Sequence, residues 1–199
     1  MTGRLAGKTV MLTNLPAETI PTLTEQLTNE GAQIVVAAAD DPSSWHEIAM
    51  SIVDKYGSLN VLVQGLTARH SASIVDTTLQ EFRAANEQNL EATFFATQAA
   101  FSAMADTGGS IVNISSTLAQ TGRVNDAAYC AGAGGLKMLT KASGIEGVAG
   151  DNKVRVNCVL TDDMTDVETL LGAVVFLASD ESTYMTGAML TADGGRGAV

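Results

Sequence analysis

Short apolar runs alternate with helix-length segments along the whole 199-residue chain, and few folds accommodate that alternation. Residues 8–13 (KTVMLT), 33–39, 61–63, 110–115 (SIVNIS), 154–160 and 188–192 read as strands. Helices are expected over 20–30, 43–56, 79–105, 127–148 and 167–179; Gly31, Gly57 and Gly108-Gly109 close the first three. Strands that are apolar on both faces must be covered on both faces, which is the signature of a parallel sheet wrapped by crossover helices. The expected fold is therefore α/β, a doubly wound parallel sheet. No internal repeat, low-complexity stretch or linker divides the chain, so residues 1–199 read as a single domain.

Charge and composition narrow the function. The formal net charge is −11, and an acidic surface repels phosphate backbones and anionic lipid, which argues against nucleic-acid and membrane partners. No apolar run approaches the ~18 residues of a membrane span. The opening MTGRLAGKTVMLT lacks the pattern of a signal peptide, so a cytoplasmic location is expected. Cys130 and Cys158 are too few for a disulfide framework and read as reduced, buried thiols. Trp45, His46 and His70 are too isolated to define a site. The acidic run Asp162, Asp163 and Asp166 reads as a solvated turn with helix N-terminal charges, so no metal site is expected.

Several segments, in order, resemble the short-chain dehydrogenase/reductase family almost end to end. GRLAGKTVMLT resembles its first strand, and KYGSLNVLV the approach to its fourth. SIVNISS, followed by Tyr129 thirteen residues after Ser116, matches its Ser-to-Tyr spacing, and Asn89 falls where the family keeps an active-site Asn. VRVNCVL and VVFLASDESTYMTGAMLTADGG resemble its last two strands. The resemblance implies a Rossmann-like fold, but one shortened by about one strand–helix unit. The strand at 33–39 runs directly into DPSSWHEI, where the family adds residues that read the adenosine ribose.

The family's phosphate loop reads T-G-x-x-x-G-x-G, with glycines that let backbone approach a pyrophosphate at a helix N-terminus. The aligned run here is Thr13-Asn14-Leu15-Pro16-Ala17-Glu18-Thr19-Ile20, so Asn14, Glu18 and Ile20 replace all three glycines. A Glu18 carboxylate ~4 Å from a phosphate would be repelled by roughly 4 kcal/mol at an effective dielectric of ~20. The family's N-N-A-G becomes Gln64-Gly65-Leu66-Thr67, with the larger Leu66 in the Ala position. This chain is therefore expected to bind no NAD(P).

In the family, Tyr is the acid/base, Ser orients the substrate oxygen, Asn helps carry a proton-relay water, and Lys four residues beyond Tyr lowers its pKa. By resemblance Asn89, Ser116 and Tyr129 remain, whereas the Lys position is Ala133. Lys137 is eight residues from Tyr129, ~12 Å along a helix and ~80° around it, which is poor reach. Without a nearby cation Tyr129 is expected near a pKa of about 10, so none of the three inherited residues is expected to function in catalysis. The Pro-Gly pair and the substrate lid that follow the family's penultimate strand are also absent: Leu160 leads through Thr161-Asp162-Asp163-Met164-Thr165-Asp166 into the next helix.

The resemblance also assigns subunit contacts, through the helices at 79–105 and 127–148 and the C-terminal segment 167–195. Ala- and Gly-rich AYCAGAGGLKML and aromatic ATFFATQAAF suit close packing there. The expected function is an inactive subunit of a hetero-oligomeric NAD(P)-dependent family member, a heterotetramer with an active paralogue that binds the NAD(P). Active and inactive subunits pair in this way in the candidate complex 2-[hydroxy(phenyl)methyl]succinyl-CoA dehydrogenase of anaerobic toluene breakdown. Two alternatives stay open: a free-standing oxidoreductase with atypical cofactor binding, and a ligand-sensing module that uses the inherited pocket.

Overall fold

The computed structural model describes residues 3–150, 153–162, 164 and 166–198. Among these, six strands form one sheet: β1 (Thr9–Thr13), β2 (Gln33–Val36), β3 (Val61–Gly65), β4 (Gly109–Ser116), β5 (Val154–Thr161) and β6 (Met189–Thr191). Their order is β2-β1-β3-β4-β5-β6, and every neighbouring pair is parallel. The doubly wound sheet expected from the sequence is what forms.

Period-two alternation along the strands sorts the core into two layers. Val10, Leu12, Val63, Val112 and Ile114 point to one face, where Leu23 and Leu27 of α1 (Thr19–Asn29) and Leu170 and Val174 of α7 (Val167–Ala178) cover them. Met11, Leu62, Ile111 and Val156 point to the other. There they meet Trp45 and Ile52 of α2 (Pro42–Tyr56) and Ala96 and Ala100 of α4 (Ala92–Ala103). Each such fully buried large side chain contributes about 1.5–3 kcal/mol relative to exposure.

Local chemistry fixes the helix ends. The Asp41 carboxylate accepts from the Ser44 N–H at 3.0 Å, Pro42 opens α2, and Gly57 closes it at φ 86°, a left-handed angle glycine adopts without strain. Thr78 and Glu81 form a reciprocal capping box at the start of α3 (Leu79–Asn86). A one-turn helix α5 (Leu118–Thr121) follows β4, and α6 (Ala127–Ala149) packs over β5.

Two expectations are corrected, and a third gains a second role. The strand over 33–39 ends at Val36: it pairs only with β1, whose chain turns away at Asn14, so the ladder runs out after the Ala37 N–H bonds the Leu12 carbonyl at 3.0 Å. β2 lies at the sheet edge with half-exposed side chains and leads directly into α2, which returns the chain to β3 on the far side of β1. The helix over 79–105 is interrupted by a π-turn, Glu87–Glu91, centred on Asn89. The small residues of 128–139 serve contacts within the chain as well: a Cβ on Gly135 would lie 2.7 Å from Leu90 Cδ2, and one on Gly132 3.2 Å from Asn89 Cβ. No helix among the described residues is long and apolar enough to cross a membrane.

Candidate active-site cleft

In a doubly wound sheet the ligand crevice lies beyond the carboxyl ends of the strands where the order reverses, here between β1 and β3. That place is filled by the chain itself. Leu15, 5% exposed, belongs to the α1/α7 core, and Met164 packs against the same cluster. Gly65 sits beneath both: a Cβ there would lie 2.8 Å from the Ile114 carbonyl oxygen, 2.9 Å from Met164 Cε and 3.2 Å from Leu15 Cδ2. The Gly65 N–H donates to the Asn14 carbonyl at 2.9 Å, which ties the two strand ends together.

The rest of the loop follows. Asn14 takes a left-handed angle, φ 49°, as the glycine it replaces would. Thr19 N–H donates to the Pro16 carbonyl at 2.9 Å, Glu18 is exposed at the head of α1, and Ile20 packs on the α1/α7 core. The buried Thr13 Oγ1 and Asn14 Nδ2 lack hydrogen-bond partners among the described residues. An NAD(P) pyrophosphate needs bare backbone at this point. Leu15 and Met164 occupy it and Glu18 opposes its charge, so the residues present do not fit the dinucleotide.

The catalytic side is arranged differently. Asn89 is fully buried, and its side chain is committed to the loop after β3: Oδ1 accepts from the Thr67 and Ala68 N–H groups, both at 2.9 Å, and Nδ2 donates to the Ala68 carbonyl at 2.6 Å. Its main-chain carbonyl accepts from Thr93 Oγ1 at 2.9 Å. Ser116 ends β4 and accepts from the Leu118 N–H at 3.2 Å. Tyr129, in the first turn of α6, joins Leu66, Ala133 and Leu136 in a small apolar cluster. Ala133, where the family has lysine, is fully buried.

Tyr129 does not keep its ordinary acidity. Burial raises its pKa above 10.0, against a hydrogen bond with Ser116 and the Arg123 charge, both of which lower it. The expectation of an unshifted phenol with no cation nearby is thus corrected twice. The Arg69 guanidinium lies 5.9 Å from the Tyr129 ring centroid, and desolvation still outweighs the neighbouring positive charge. Lys137 acts elsewhere: its charge is felt at Cys158.

The sequence reading missed both arginines. Arg69 Nε and Nη2 bond the two Asp126 carboxylate oxygens at 3.3 and 3.1 Å, and Arg123 Nε bonds Asp126 Oδ2. Asp126 is only 1% exposed, yet its side chain caps no amide of α6. The Arg123–Asp126 spacing could have flagged a local ion pair. Nothing in the sequence joins Arg69 to a carboxylate 57 positions away. A bridge between Ala72 and Asp126 holds the two loops together. The cleft they border is about 460 Å³, with Glu18, Arg69, Ser116, Arg123, Tyr129 and Asp162 among its walls.

The remaining candidates are structural. Asp166 accepts from the Thr169 N–H at 3.4 Å at the head of α7, Asp162 pairs with Arg196, and Asp163 lies outside the described residues. No cluster of metal-ligand side chains occurs among the described residues. Trp45 is core, His46 is exposed, and His70 stands 3.4 Å from Glu81. Cys158 is buried, with its thiol pushed up to about 12 by desolvation, whereas Cys130, expected to be buried, is half-exposed.

Comparison with known proteins agrees with this architecture. The short chain dehydrogenase family model matches residues 4–170. Trans-4-hydroxycyclohexanecarboxylate dehydrogenase of Sinomonas cyclohexanicum is 37% identical over 175 residues, covering 78% of this chain and 67% of that protein. The NADP-dependent (R)-specific alcohol dehydrogenase of Lentilactobacillus kefiri is 26% identical over 248 aligned positions, with 98% of each chain covered. That alignment outruns the 199 residues present, so the difference in length falls inside the chain. A short-chain dehydrogenase from Mycobacterium smegmatis superposes with a TM-score of 0.84 at 27% identity, over 96% of this chain and 93% of that one. A Burkholderia xenovorans structure reaches 0.87 at 22% identity over 99% of both chains, a likeness of fold alone. Sequence and architecture concur: this chain belongs to the short-chain dehydrogenase family.

Proposed function

We propose that this chain is a non-catalytic subunit of a hetero-oligomeric, NAD(P)-dependent short-chain dehydrogenase, in which an active paralogue binds the cofactor and performs the hydride transfer. The single observation that carries the reading is the filled crevice: Leu15 and Met164 close over Gly65 where a dinucleotide would lie. Ala133 adds to it, because without the lysine a buried Tyr129 remains a phenol at neutral pH. The relatives are named as dehydrogenases, so the departure lies in this chain's own residues.

The outer helices support a partner. Phe94 on α4 and Met138, Ile145 and Val148 on α6 are large apolar side chains left exposed, and Leu79 and Phe82 extend the surface along α3. A groove of about 520 Å³ runs between α4 and α6, lined by Phe94, Phe101 and Ser143 among others. An active paralogue docked through residues 79–105, 127–148 and 167–195, as a heterotetramer, would cover this surface. A complex of the 2-[hydroxy(phenyl)methyl]succinyl-CoA dehydrogenase kind is the candidate assembly.

Co-expression with an intact family member from the same source, followed by purification on a tag carried by this chain alone, tests the reading. The expected outcome is one complex with dehydrogenase activity, alongside isolated chain that leaves NADH and NADPH fluorescence unchanged at millimolar cofactor. Saturable cofactor binding by the isolated chain, or a stable homo-oligomer that ignores the paralogue, would refute it.

A further inference from the structure

We infer that the cleft holding Ser116 and Tyr129 is a binding site for a small carboxylate, gripped by Arg69 and Arg123, with the ligand's apolar body against Leu66, Leu118 and Met164. The reading goes beyond the subunit role and holds whether or not a paralogue is bound.

The charge balance comes first. Two guanidinium groups converge on one buried carboxylate, Asp126, so the trio itself carries one net positive charge. Asp126 is the only acceptor these two groups have among the described residues, and it engages Nε and Nη2 of Arg69 and Nε of Arg123. The other N–H groups remain available. Both arginines stay accessible, with side chains 51% and 43% exposed, and both line the cleft. A guanidinium presents paired donors in a planar fork that matches a carboxylate, and one residual charge suits a monoanion better than a phosphate dianion.

Further donors and a greasy wall complete the site. Ser116 Oγ accepts from the Leu118 N–H and is hydrogen-bonded with Tyr129, and the pair brings two hydroxyl groups to the same cleft. Leu66, Leu118 and Met164 supply apolar wall. Glu18 and Asp162 also line the cleft; Asp162 is engaged by Arg196, and Glu18 sits exposed at the head of α1. Glu18 opposes any anion, and a polyanion most, so a single carboxylate is the anion that the two arginine forks can best offset. The Asp126 bridge to Ala72 fixes both arginine-bearing loops before any ligand arrives, which lowers the ordering cost of binding. At about 460 Å³ the cleft falls within the ~300–1,000 Å³ usual for small-molecule sites.

Calorimetric titration of the isolated chain with benzoate and with benzamide, which has nearly the same shape without the charge, tests the site. Benzoate is expected to saturate and to bind about tenfold or more tighter than benzamide. Arg123→Gln should weaken benzoate by about tenfold and leave benzamide unchanged, with the melting curve confirming that the variant is folded. Arg69→Lys, which keeps the charge but loses the fork, serves as a second variant and should weaken benzoate by a smaller factor. Equal affinities for acid and amide, parental benzoate affinity in both variants, or no saturable benzoate binding would each overturn the inference. None of these readouts involves NAD(P), so they can fail or succeed independently of the subunit reading.

Discussion

The two halves of this cleft have diverged from one ancestral site in opposite ways. On the β1/β3 side, where the family holds its cofactor, the strand ends are capped by Leu15 and Met164 and have become part of the core. On the β4/α6 side, Ser116 and Tyr129 still face an open polar cleft flanked by Arg69 and Arg123. A site needs bare backbone to take a pyrophosphate, so a leucine that finds an apolar home there opposes cofactor binding while it adds packing energy. The polar half offers no comparable gain. Its groups are hydrogen-bonded, and filling it with apolar side chains would strand their remaining donors.

Several measurements can break or sharpen this contrast. The largest effect is expected at the seam, where Ala133→Lys returns the family's lysine to a fully buried position against Leu66, Tyr129 and Leu136. Desolvating an ammonium by three or more pKa units costs about 4 kcal/mol, so urea denaturation should show a loss of that order and no dehydrogenase activity should return. A variant as stable as the parent would mean that the room for a lysine still exists. Next is Leu15→Ala, expected to lower unfolding free energy by about 2–5 kcal/mol if the cofactor half is core, against less than about 1 kcal/mol for Arg123→Gln in the open half. Comparable losses for the two would erase the distinction.

The pH dependence of stability is a smaller signal with a definite sign. Tyr129 has a folded-state pKa above its unfolded value, so its contribution is fully present below about pH 10 and is lost as pH rises through the folded value. Tyr129→Phe should flatten that alkaline decline, and in ultraviolet titration should remove a phenol that ionises above the usual range. Least costly is thiol labelling: with Cys158 buried and pushed up to about 12, a neutral-pH reagent should modify Cys130 and spare Cys158 in the native protein.

Much of the fold was legible because it depends on local pattern. Asp41-Pro42 and Gly57 bracket α2 in the sequence as they do in space, and the strand runs alternate faces as their residues require. The π-turn was not legible, because 79–105 carries unbroken helix-forming residues and the extra residue is accommodated where Asn89 reaches across to the 67–68 backbone. The small residues at 128–139 suggest a subunit contact, and Gly132 and Gly135 also admit Asn89 and Leu90 of the same chain, an intrachain role that composition cannot reveal.

The sequence by itself determined the parallel sheet, its two-sided core and the loss of three loop glycines and a lysine, because periodicity and residue identity act through neighbours in the chain. It marked Glu18 and Ile20 as the obstacles to a cofactor, yet the side chains that occupy the crevice are Leu15 and Met164. Only the tertiary structure decided that. It also brought Arg69 and Arg123 onto one buried carboxylate beside Tyr129, and it set burial above positive charge in fixing that phenol's acidity. Each of these depends on distances between residues far apart in sequence, and it is those distances that set steric occupancy, Coulomb energy and desolvation.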